Sequence, residues 1–267
     1  TPSLAQLLAG VLGQVRHPAS QKPLSEHWSG RLYSLGSGSD YTVFIDRLGI
    51  PSLDMSFTPG DAHYGVYHSV YDSFNWMATE GDPNFTYHVA MSQVWGLTAL
   101  RLAGSDDSGN LPLPLNLSTQ AQAISSYIEE AKQTLNHTAP ERMLHFQPLE
   151  HASAAFLQAA EKSAAQADRL RKLGPPAFDE IVAFNNKIGL LERNFLMESG
   201  LPGRKWFRHC LQAPGLYTGY AAKTLPGITE AISAKDWQLA QAQIQACAER
   251  IDSAASALSD VGLVIAV

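Results

Sequence analysis

The feature that most constrains this chain is a run of apolar residues near its end, Trp237, Ala240, Ile244, Cys247, Ile251, Ala254, Leu258 and Val261. Steps of three and four sustained over so many turns put one apolar side on a helix, and that side needs other surfaces to cover it. Three further stripes of the same period precede it. Ile124, Tyr127, Ala131 and Leu135 mark one, Phe156, Ala160, Ala164, Ala167 and Leu170 a second, and Ile181, Asn185, Ile188, Leu191 and Phe195 a third. The spacing predicts an all-α helical bundle for the second half.

The first half reads differently. A helix is expected from about residue 2 to 15, with Thr1 as its N-cap, Pro2 at the first helical position and Leu4, Leu7, Leu8, Val11 and Leu12 on one face. A loop then leads to a short strand near Leu32, a helix capped by Ser39 that ends at Gly49, a strand from Ile50 to Phe57, a Gly-rich loop to about 66 and a helix from Asn84 to Leu102. That is α/β order. Between the halves lies Gly104-Ser105-Asp106-Asp107-Ser108-Gly109-Asn110-Leu111-Pro112-Leu113-Pro114, turn formers plus two prolines that cannot lie inside a helix. The expected domains are therefore 1–110 and 111–267.

Composition narrows the function classes. A formal net charge of −6 disfavours a nucleic-acid partner, and no window reaches the roughly 18 apolar residues of a membrane span. The chain opens on Thr1 rather than Met, and its first residues do not read as a signal peptide, so an upstream part is expected to have been removed. Asn84, Asn116 and Asn136 each begin a glycosylation sequon among only eight asparagines, where roughly one match is expected by chance, which points to the secretory pathway. Cys210 and Cys247 form one bridge or stay reduced. The place of Cys247 in an apolar stripe favours a buried thiol.

Self-contained catalytic signatures are absent: there is no H-E-x-x-H, C-x-x-C, G-x-S-x-G or P-loop. Glu129-Glu130 reads as a solvated helix face. Gly36-Ser37-Gly38-Ser39-Asp40 reads as a flexible loop with an N-cap. Tyr64-Gly65-Val66-Tyr67-His68-Ser69-Val70-Tyr71-Asp72-Ser73 carries a Tyr-His pair on a loop after an expected strand. A His is the commonest metal ligand and an adjacent Tyr hydroxyl can donate to an oxyanion, although a surface histidine is the ordinary reading of such a residue.

The order of several short motifs adds to this. Leu35-Gly-Ser-Gly-Ser-Asp40, Val43-Phe44, Arg47-Leu48-Gly49-Ile50, Tyr67-His-Ser-Val-Tyr-Asp72, Asp82-Pro83, Phe85 and Tyr87-His88 are followed by Leu191-Glu-Arg193, Gly200-Leu-Pro202, Arg208-His209, Ala213-Pro214 and Leu225-Pro-Gly-Ile228. In this order they resemble the C-terminal part of the glutamate carboxypeptidase II and transferrin receptor-like family. The resemblance implies the C-terminal part of a zinc-peptidase catalytic domain followed by a helical dimerisation domain. It also implies a co-catalytic exopeptidase with two zinc ions, acting on small peptides as a homodimer.

By that resemblance His68 is a zinc ligand, Tyr67 hydrogen-bonds the tetrahedral intermediate, and Ser37 and Gly38 line the substrate cleft. The remaining metal ligands and the general base would lie on an upstream fragment of the same polypeptide, leaving this chain inert by itself. There are departures. Ser39 stands where the glutamate-specific member has Asn, and Asp54, Met55 and Ser56 stand where it has an Arg patch. Gly219-Tyr220 replaces a Lys-Tyr pair, with Lys223 as a possible substitute cation. Peptidase chemistry with no preference for glutamate is expected; the alternative is a non-catalytic, receptor-like dimer.

Overall fold

The computed structural model describes residues 1–30, 32–58, 65–104 and 111–259. In the second half, four long helices follow the sequence stripes closely: α4 (Leu117–Thr138), α5 (Gln147–Leu173), α6 (Phe178–Gly189) and α8 (Trp237–Ser259), with a shorter α7 (Pro226–Ser233). α8 lies along α5 and against α7, while α4 packs on α5 and α7. Its stripe from Ala240 to Leu258 is buried, together with Ile124, Phe156, Leu170, Ile181 and Phe195. Val261 lies outside the described residues.

Three details differ from the stripes. Ala164 is exposed and Ser163 takes the inner position. Phe184, not Asn185, faces the core; Asn185 instead holds the linker, accepting from the Leu113 N–H (2.7 Å) and donating to the Leu111 carbonyl (3.0 Å). The third helix stops at Gly189, a weak helix former, and the chain resumes as a 3₁₀ turn over Leu191–Phe195. That turn buries Glu192 against His209. The Leu211 N–H donates to His209 Nδ1 (3.3 Å), so Nε2 carries the proton and donates to Glu192 (3.0 Å).

The first half is helical among its described residues, and the expected strands are not formed. A 3₁₀ turn (Pro2–Leu4) leads into α1 (Ala5–Leu12), which packs on α3 (Thr86–Leu102); a single turn, α2 (Phe74–Trp76), comes between them. Thr1 does not cap the first turn. Its hydroxyl accepts from the Ser52 N–H (2.9 Å) and its backbone nitrogen donates to the Ser52 carbonyl (2.6 Å). Residues 53–57 do keep a strand's alternation, with Leu53, Met55 and Phe57 turned onto the α1–α3 cluster and Asp54 and Ser56 exposed. A strand needs a neighbour to take up its backbone N–H and C=O groups, and among the described residues none lies alongside. The sheet that does form is a two-stranded antiparallel hairpin, β1 (Gln212–Pro214) with β2 (Ala222–Thr224), in the other half.

α3 starts two residues later than expected, at Thr86, because Asp82 caps it. Its carboxylate accepts from the backbone N–H groups of Thr86, Tyr87 and His88, each at 3.0 Å, and from His88 Nδ1 at 2.8 Å. Burial alone would raise this carboxyl; the bonds from His88, Thr86 and Tyr87 outweigh it and hold it below the ordinary range.

A helix runs from Tyr41 to Leu48 as expected, but as a π-helix over Val43–Leu48. At its start the Ser39 carbonyl, not the Ser39 hydroxyl, accepts from Thr42. On it, Asp46 is fully buried, and neither carboxyl oxygen meets a hydrogen-bond donor among the described residues. Its backbone carbonyl accepts from the Arg208 N–H (2.8 Å), tying this helix to the bundle. Desolvation pushes the Asp46 carboxyl up to about 8, against the pull of Arg204. A carboxyl raised on folding favours the folded state fully only below its unfolded value of 3.8, and that contribution is lost as pH rises toward 8. Asp46→Asn should therefore gain stability over the parent progressively between pH 4 and 8 and then level off. Denaturant midpoints across pH test this, and a pH-independent difference would contradict it.

Candidate substrate-facing site

Two groups of the sequence-derived residues come together. The first joins segments far apart in the chain. The β1–β2 hairpin carries a turn closed by Gly215 N–H to the Ala221 carbonyl (2.9 Å), with Gly219 at φ +64°, the left-handed region that glycine enters without strain. At the end of this turn the Tyr220 carbonyl accepts from the Ser37 N–H (3.1 Å), and the Tyr220 ring lies over Gly38, where an added Cβ would sit 3.2 Å from Tyr220 Cγ. Gly36 is pressed closer still: a Cβ there would meet the Tyr220 carbonyl oxygen at 2.1 Å and the Ala222 nitrogen at 2.8 Å. Tyr220 is 68% exposed.

The second group is Tyr67 and His68. Their rings stack with centroids 3.8 Å apart, His68 at φ +64°, on an exposed turn in which the Ser69 N–H donates to the Val66 carbonyl (3.0 Å). A non-glycine residue in that backbone region is uncommon and fixes the direction of its side chain. Tyr64, quoted with this motif, lies outside the described residues.

The remaining candidates are placed as follows. Asp54 is exposed, and its charge acts on Tyr41, whose hydroxyl is raised by burial and by Asp54 and Asp46. Ser39 is exposed. Lys223 lies on β2, its Cγ passing 3.0 Å from where a Gly215 Cβ would be. It borders an 880 Å³ cleft between Gly30, Leu32, Tyr33 and Ser34 on one side and α4 on the other, with Tyr127, Glu130 and Thr224. Glu130 is on the exposed face as expected and also accepts from the Thr224 hydroxyl (2.8 Å). Asn84 and Asn136 are exposed, whereas Asn116 caps α4, accepting from Thr119 N–H (3.2 Å) and donating to Gln6 (2.8 Å). Cys210 and Cys247 are both buried thiols; burial and a hydrogen bond with Cys247 push Cys210 well up.

Among the described residues no three His, Cys, Asp or Glu side chains come close enough to hold a metal ion. These residues alone therefore do not fit a zinc centre, since a catalytic zinc takes three protein ligands and His68 is one nitrogen donor. Among the same residues no helix is long and apolar enough to cross a membrane.

Residues 144–259 match the transferrin receptor-like dimerisation domain. A probable glutamate carboxypeptidase of Arabidopsis thaliana is 34% identical over 87% of this chain and 33% of its own length. The chain is similar to the C-terminal portion of the glutamate carboxypeptidase and transferrin receptor-like family. A mouse relative named aminopeptidase NAALADL1 is 29% identical over 86% of this chain and 31% of its own length. A fission yeast relative, 22% identical over 81% of this chain and 27% of its own length, is named an inactive zinc metalloprotease. The chain thus spans about a third of the length of the curated relatives it matches, which include proteins named as carboxypeptidase and aminopeptidase.

Sequence reasoning placed Ser37, Gly38 and Tyr220 at one site but missed Gly36, whose missing side chain permits the contact. Gly36→Ala would force the hairpin away from residues 36–38. It should lower stability by about 1–3 kcal/mol, as overpacking does. A denaturant midpoint equal to the parent's would contradict the closeness of this contact.

Proposed function

We propose that this chain supplies one metal ligand and one wall of the substrate pocket to a zinc exopeptidase of small peptides. In this reading residues 1–110 end an α/β catalytic domain and residues 111–267 form a dimerisation domain that also reaches into the pocket. The observation that carries it is the meeting of Ser37 and Gly38 with Tyr220 across 183 positions of sequence. One loop from the catalytic part and one hairpin from the bundle thereby make a single edge.

The roles follow from what each group can do. His68 would give one nitrogen to a two-zinc centre whose other ligands lie outside the described residues. The zinc would supply Lewis-acid activation of water and carbonyl. The Tyr67 hydroxyl, on the neighbouring residue, would donate to the oxyanion that develops at the scissile carbonyl. Tyr220 would donate to the substrate's terminal carboxylate. At Gly219 an added Cβ would meet open space, so a longer side chain there has room. Gly219 itself brings no cation to select glutamate, Lys223 on β2 being the substitute cation to test, and exposed Asp54 adds a bias against an acidic residue before the cleaved bond. The chain alone would be inert. A homodimer on the secretory side of the cell, glycosylated at exposed Asn84 and Asn136, completes the reading; Asn116, held by Gln6, is the weaker acceptor.

The test uses the complete protein. His68→Ala should lower zinc stoichiometry and abolish hydrolysis of dipeptides, whereas Tyr67→Phe should keep zinc and lower kcat by about 10²- to 10³-fold. Zinc content and activity at parent levels in His68→Ala would overturn the metal assignment. Gly219→Lys should raise kcat/KM for peptides ending in Glu by about one to two decades. A parent already selective for terminal Glu would contradict this account of the pocket. A complete protein that binds no zinc and cleaves no peptide would favour the receptor-like alternative.

A further inference from the structure

The turn that carries Gly219 and Tyr220 is held at two places. At its far end the Tyr220 carbonyl meets Ser37; at its near end the Leu216 N–H donates to Glu230 Oε1 on α7 (2.8 Å). Glu230 is itself clamped. Arg204 donates to both of its carboxylate oxygens, Nη1 to Oε2 and Nη2 to Oε1, each at 2.9 Å, in the planar two-bond geometry that only arginine offers. The Arg204 side chain is 10% exposed and that of Glu230 22%, so solvent screens this pair weakly.

The charge of Arg204 also acts on the first half, with no hydrogen bond to it. Arg204 Nε is buried with no acceptor among the described residues, and the charge that pulls on buried Asp46 is that of Arg204. Asp46 lies on the π-helix that follows directly from the Ser37–Gly38 loop. Asp46 and Arg204 share no hydrogen bond, so the held path runs from Arg204 through Glu230, Leu216 and the Gly215–Ala221 turn to Tyr220 and Ser37.

We propose that Glu230, held by Arg204, is a positioning residue: it sets where the Gly215–Ala221 turn presents Tyr220 to the Ser37–Gly38 edge, and through that the affinity for substrate rather than the rate of bond cleavage. This rests on the reading of that edge as substrate-binding. The carboxylate acts through its bond to Leu216, so an uncharged acceptor of the same shape keeps the function even though the ion pair is lost.

The experiment compares Glu230→Ala with Glu230→Gln in the complete, zinc-loaded protein, reading kcat and KM on dipeptides together with hydrogen exchange at the amides of Leu216 and Ser37. Both variants should lower the thermal midpoint, since both lose the ion pair. Glu230→Ala should raise KM roughly tenfold with kcat within about twofold of the parent, as for one lost hydrogen bond to a charged group. It should also speed exchange at Ser37, a residue that Glu230 does not touch. Glu230→Gln should restore KM and Ser37 protection most of the way. Parent-like KM and Ser37 exchange in Glu230→Ala would overturn the proposal, as would a Gln variant no better than Ala. Should Glu230→Ala fail to fold, Arg204→Lys, which keeps the charge and breaks the two-bond geometry, takes its place: faster Ser37 exchange supports the proposal, and unchanged exchange overturns it. A parent protein that cleaves no dipeptide would sink the peptidase reading by itself, leaving the exchange at Ser37 to decide the positioning role.

Discussion

The contact on which the site depends is made of backbone. The Ser37 N–H reaches the Tyr220 carbonyl only because residue 36 has no side chain, its place being taken by the carbonyl oxygen itself. An aromatic ring then covers Gly38, so a hairpin from the helical half meets a loop of the first half along one edge. Hydrogen bonds between main chains do not depend on long side-chain rotamers, so such an edge is stiff, and it leaves Tyr220 exposed, as the proposed recognition of a substrate carboxylate would need. The helices behind it serve as the frame: α8 buries its apolar side against α5 and α7, and α7 carries Glu230 toward the turn.

Much of that frame was legible in the sequence, because helix periodicity is a strong local signal. The stripes of α4, α5 and α8 predicted which sides are buried, with Ala164 as an error of one position. Strands are another matter. The alternation of Leu53, Met55 and Phe57 is present in the structure as read, yet pairing is a property of two segments, and no neighbour for this one lies among the described residues. The first half was therefore read as α/β where its described elements are helical.

Polar residues that work from inside left no pattern at all. Asp46, Arg204 and Glu230 sit at positions that a hydropathy reading assigns to helix surface or loop. What makes them matter is burial and mutual geometry, which only coordinates give. Glu192 and His209 are alike in this: the sequence motifs containing them resembled a family, but nothing in their spacing said that a carboxylate would accept from an imidazole in the core. Tyr67 and His68 were found the other way round, by motif rather than by pattern, and the structure adds their stacking and the left-handed backbone at His68.

The account's central claim is that this chain contributes a single metal-binding nitrogen to a centre completed elsewhere in the polypeptide. Anomalous diffraction at the zinc edge from crystals of the complete protein measures that directly. The account predicts a zinc peak at about 2.0–2.1 Å from a ring nitrogen of His68, the ordinary zinc–imidazole distance. A fully occupied zinc centre that excludes His68, or crystals with no zinc peak near the Tyr67–His68 turn, would contradict it.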